Sequence, residues 1–62
     1  MHKDEWKAFL RWLETASDAE LERRLLAVAA LTETFREEGT RADARRMLAE
    51  INLEREARRS LR

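Results

Sequence analysis

Apolar residues recur along this chain at helical spacing in three blocks. Trp6, Phe9, Leu10 and Leu13 stand three and four apart near the start. Leu21, Leu25, Val28, Thr32 and Phe35 follow at intervals of four, three, four and three, and Ala44, Met47, Leu48 and Ile51 form the last set. At about 100° per residue, each block gathers on one side of a helix. The rhythm of the middle block is that of helices packed knobs into holes.

Two capping signatures divide the blocks. Ser17-Asp18-Ala19-Glu20 has the spacing of a capping box, in which a hydroxyl takes a free amide and the Glu reaches back. Thr40-Arg41-Ala42-Asp43 repeats the layout with a shorter acid, and Gly39 before it suits a left-handed helix end. The pattern predicts helices over about residues 4–15, 18–38 and 41–60. A Gly-Thr turn between the last two makes them an antiparallel hairpin. The expected fold is all-α, one domain, a short first helix added to a helical hairpin.

The segment Leu25-Leu26-Ala27-Val28-Ala29-Ala30-Leu31 breaks the two-sided pattern, because seven apolar residues in a row leave the middle of the second helix without a polar side. Leu26 and Leu31 fall on opposite flanks of the stripe, and Ala27 and Ala30 on its back. One hairpin neighbour and one short helix cannot cover all of this. A second copy of the chain is the economical cover, since twofold dimers are the commonest oligomers. We therefore expect a homodimeric bundle whose core and dimer contacts draw on Leu21, Leu25, Leu26, Val28, Leu31, Phe35, Met47, Leu48 and Ile51.

Size sharpens that expectation. With 62 residues, the chain is in the range where small folds need a staple. Cys is absent and His2 is the only histidine, so neither a disulfide nor a thiolate metal site can serve, and no metal or cofactor is expected. Gly39 is the only glycine and proline is absent.

Thirteen basic and thirteen acidic residues balance overall, which argues against a protein that coats nucleic acid. The balance is uneven along the chain. Residues 1–40 hold six basic and nine acidic groups, whereas residues 41–62 hold seven basic and four acidic. The charged start lacks the long apolar run of a secretory signal, and seven apolar residues are too few to span a bilayer. The expectation is a cytoplasmic protein without membrane contact.

No catalytic constellation is visible. There is no Cys, no Tyr, no histidine beyond His2 and no glycine-rich phosphate loop. Glu37 and Glu38 are sequence neighbours and do not share a helical face. The chain reads as a non-enzyme. Its candidate partner-binding residues are Trp12, about 110° off the first helix's stripe, and Arg41, Arg45 and Arg46, which open the third helix where its dipole prefers acids. They point to another protein as partner. The alternative is a DNA-binding transcriptional regulator that uses the start of the third helix, in a layout superficially like a helix-turn-helix.

The stretch ASDAELERRLLAVAALTETF followed by GTRADARRMLAEI resembles the small helical proteins carried by temperate transposable phages and related mobile elements. The likeness spans roughly residues 15–53 and is one of size, helical hairpin and Arg/Glu/Ala/Leu composition. It carries over no functional residue. Proteins of that kind include host-takeover factors, among them an anti-quorum-sensing protein and inhibitors of the type IV pilus assembly ATPase. The resemblance implies a dimeric inhibitor of a host transcription factor or motor.

Overall fold

The computed structural model describes residues 1–61, and among them there are three helices and no strand. Helix α1 runs Lys3–Thr15, α2 runs Asp18–Thr32 and α3 runs Glu38–Ser60. The fold is all-α. No helix among the described residues is long and apolar enough to cross a membrane.

Local chemistry sets most helix ends. The His2 imidazole accepts the Asp4 amide at 3.2 Å, and Asp4 and Glu5 put negative charge at the positive pole of α1. At Ser17 the capping box is complete. Its hydroxyl accepts the Glu20 amide at 3.1 Å, and the Glu20 carboxylate accepts the Ser17 amide at 3.0 Å. Only Ala16 and Ser17 join α1 to α2, so the chain reverses sharply there.

The second connection departs from the sequence expectation. Helix α2 stops at Thr32 rather than near residue 38, and α3 starts at Glu38 rather than at 41. Two threonines mark the stop. Thr32 donates to the Val28 carbonyl at 2.7 Å, and Thr34 donates to the Leu31 carbonyl through its hydroxyl at 2.8 Å and its amide at 2.9 Å. The Thr34 bonds take up the Leu31 carbonyl, which a longer helix would offer to the Phe35 amide. Electrostatics favours the same break. Glu37 and Glu38 would sit at the negative end of an extended α2, but here they stand at the positive end of α3. Gly39 therefore lies inside the first turn of α3 with no positive φ, and the N-cap is Glu37, which makes no side-chain cap bond. The expected left-handed glycine and the Thr40 capping box are not formed.

Helix α2 packs antiparallel to α3, and α1 runs alongside α3 in the same direction. Three contacts define this. Arg58 Nη1 reaches Asp18 at one end of the hairpin, and Arg58 Nη2 reaches the Leu13 carbonyl. Arg46 lies over the Trp6 ring further up. The core gathers where all three helices meet: Phe9, Leu13, Ala16, Leu21 and Ile51, with Leu21 and Ile51 wholly enclosed. Full burial of each of those two is worth about 1.5–3 kcal/mol. Trp6, Trp12, Leu25 and Met47 pack around them, while Val28 and Ala44 are buried separately, beyond that cluster.

Helix lengths explain the split. At 1.5 Å per residue, α1 is about 20 Å long and α3 about 34 Å. Helix α1 therefore runs beside α3 from Arg58 up to Arg46, with Met1 reaching Asp43, and leaves the start of α3 and the end of α2 uncovered.

Candidate functional site

Beyond the first residues of α1, the trough between α2 and α3 is open. It encloses about 570 Å³ and continues the line that α1 occupies. Val28 and Ala44 form its buried floor, at 8% and 3% exposure. Leu31, Phe35 and Met47 make its apolar walls. Leu31 is 52% exposed, although it is an aliphatic residue on a trough wall. Arg24 and Asp43 border the trough, and the amino group of Met1 donates to the Asp43 carboxylate where α1 begins.

The sequence builds this trough through small residues. Ala27 and Ala44 leave room between the helices that longer side chains would fill. The link over residues 33–37 carries Phe35 to its far end, half-buried. Phe35 thus joins the wall from a connecting segment, not from the helix on which its spacing had set it.

The candidate partner-binding residues occupy separate environments. Trp12 is half-buried and stacks on Phe9, with ring centroids 5.9 Å apart and planes at 26°. The Arg24 guanidinium sits 4.6 Å from its ring centre. It is thus a wall of the core. Arg45 holds Glu38 at 2.8 Å, and that bond is the main reason the Glu38 carboxyl stays below its ordinary pKa. Arg46 stands 4.4 Å over Trp6, which meets Phe9 edge-on. Arg41 is exposed and makes no ion pair among the described residues.

The predicted core divides by depth. Leu21, Val28 and Ile51 are buried, Leu25, Phe35, Met47 and Leu48 are half-buried, and Leu26 and Leu31 stay exposed. Sequence reasoning missed the role of Arg58. It donates at 2.9 Å to Asp18, at 2.9 Å to the Leu13 carbonyl and at 3.3 Å to Glu54. The hydrogen bond to Asp18, with a smaller one to Glu54, raises the guanidinium pKa above its ordinary value. The four-residue step from Glu54 was a visible signal, but the link to Asp18 spans 40 positions.

Among the described residues, no cluster of three or more His, Cys, Asp or Glu side chains could hold a metal ion. No protein-family model, curated protein or solved structure matches the chain.

Proposed function

We propose that this chain is a non-enzymatic interaction module, acting as a homodimer in the cytoplasm, that binds and inhibits a larger regulatory protein by taking one of its amphipathic helices into the α2–α3 trough. The observation that carries this reading is the continuity of the trough with the seat of α1. Where α1 lies, Phe9 and Leu13 fill the space between the hairpin helices; beyond it, Val28, Ala44 and Leu31 offer the same kind of seat unfilled. A segment with large apolar residues three and four apart, as α1 has, is the matching occupant. The resemblance to phage host-takeover proteins agrees with an inhibitory role. His2 is engaged as a helix cap, which supports a non-catalytic reading.

The DNA-binding reading has less behind it. Two of its three arginines are already engaged within the chain, Arg45 by Glu38 and Arg46 by the Trp6 ring.

The test is a titration of the isotopically labelled chain with synthetic helical peptides that carry Leu or Phe at helical spacing. The expected result is shifted resonances at Ala27, Leu31 and Ala44, lost in Leu31→Glu. Shifts confined to other surfaces, or equal binding by Leu31→Glu, would remove the trough as the site.

A further inference from the structure

The face of the hairpin turned away from α1 carries a second pattern. On α3, residues 41, 45, 48, 52, 55 and 59 follow one another at steps of four and three, so they share one side of the helix. They read Arg, Arg, Leu, Asn, Arg, Arg. Glu22, Leu26 and Ala30 on α2, with Glu33 at its C-cap in helical backbone geometry, lie on the side turned away from the buried stripe of Leu21, Leu25 and Val28. Both rows have the same design, an uncharged middle (Leu48 and Asn52 on α3, Leu26 and Ala30 on α2) between charged ends. The charges are basic on α3 and acidic on α2.

The two rows also match in height. Glu22 shares a shallow cleft of about 320 Å³ with Arg55 and Arg59. At the other end, Leu31 and Phe35 share the trough with Thr40 and Ala44, which sets Glu33 level with the start of α3. Leu26, 62% exposed, falls midway. Among the described residues, Glu22, Glu33, Arg41, Arg55 and Arg59 make no ion pair.

We infer that this face is the homodimer interface, and that the twofold axis runs parallel to the helices. This rests on the homodimer in the functional reading above. Charge selects the axis. A twofold across the helices would lay α3 on α3 and set arginine against arginine. A twofold along them lays α3 of one copy antiparallel on α2 of the other. Arg55 and Arg59 then meet the partner's Glu22, Arg41 and Arg45 approach its Glu33, and Leu26 and Leu48 close the middle. The contact is isologous, as a closed dimer requires, and like charges set opposite each other are what it avoids. Because the trough lies on the α1 side, each copy keeps its trough open.

Charge reversal tests the interface, read by sedimentation and light scattering of the full chain over a dilution series. Wild type should show a mass near twice 7.4 kDa that falls toward 7.4 kDa as salt rises. The variants Glu22→Arg/Glu33→Arg and Arg55→Glu/Arg59→Glu should each be monomeric, with association weakened about tenfold or more because the twofold doubles every change. Mixed one to one, they should form a heterodimer. A monomeric wild type, reversed variants that still self-associate, or helical variants that fail to pair when mixed would overturn the inference. Should a reversed variant lose helicity, cross-linking decides. Leu26→Cys chains mixed with Asn52→Cys chains should give the mixed disulfide in excess over either homodisulfide, and an excess of homodisulfides would refute the axis. Duplex DNA binding by a monomeric wild type, lost in Arg55→Glu/Arg59→Glu, would reassign the face to nucleic acid. Leu31→Glu should leave the dimer mass unchanged, so failure of the trough and failure of the interface are separable.

Discussion

Arg58 and Asp18, 40 residues apart in sequence, are joined by a 2.9 Å hydrogen-bonded ion pair that ties the far end of α3 to the first turn of α2. The same guanidinium takes the Leu13 carbonyl, one of the groups that α1 leaves unpaired at its end. One side chain thus clamps all three helices at the closed end of the fold. Replacement by Ala should lower the melting temperature and fray residues 54–61, seen as faster amide exchange there. Arg58→Lys should recover little, because an ammonium cannot span two acceptors in the same fork. Unchanged exchange in Arg58→Ala would show that the clamp contributes nothing.

Gly39 provides a test of sign. If it ended α2 in a left-handed turn, any side chain would strain it. In the first turn of α3, with no positive φ, an added Cβ meets only the Glu37 carboxylate oxygen at 3.4 Å. Gly39→Ala should therefore stabilise the fold by about 0.4–1 kcal/mol, through the lower entropy of the unfolded chain and better helix propensity. Denaturant unfolding reads this directly. A loss of stability would restore the left-handed turn.

Cap substitutions should separate the two capping signatures. Ser17→Ala removes a formed box and should cost about 1 kcal/mol. Thr40→Ala removes no cap, and its effect should be clearly smaller in the same unfolding experiment.

Acid should expose the same box. The Glu20 carboxyl is held below its ordinary value of 4.5, chiefly by the Ser17 amide and then by the Ser17 hydroxyl, and Glu38 is lowered by Arg45. In the unfolded chain both groups bind protons at higher pH than in the folded one. Their contribution is therefore complete above the ordinary value and is lost as pH falls through the lowered ones. Melting temperature should drop through that acid window, and Glu20→Gln should flatten part of the drop. An unchanged acid slope in Glu20→Gln would exclude the box as its source.

Trp12 should behave as a core residue. Stacked on Phe9 and covered by Arg24, it should cost about 2–4 kcal/mol when cut to Ala. Leu53→Ala, at a side chain 63% exposed, should stay within about 0.5 kcal/mol. Arg24→Ala should cost about 0.5–1 kcal/mol and shift the tryptophan emission. Equal effects at Trp12 and Leu53 would contradict the packing.

The spacing of Trp6, Phe9 and Leu13, of Leu21, Leu25 and Val28, and of Ala44, Met47 and Ile51 was enough to determine three helices and most of their inward faces. Periodicity and capping are local properties, and each is complete within a few residues of chain. The Ser17 box formed as written, because both its partners lie three residues apart. What local pattern could not settle was competition between alternatives of similar energy. Residues 33–40 could extend α2 or start α3. The bonds of Thr34 to the Leu31 carbonyl and the placement of Glu37 and Glu38 at a helix N-terminus decided it. Depth was tertiary as well. Leu21, Leu26 and Leu31 are the same residue on one helix, yet one is enclosed and two are exposed. Leu26 faces away from α1, and Leu31 lies beyond its first residues, because a helix of 13 residues cannot roof a hairpin whose longer arm has 23.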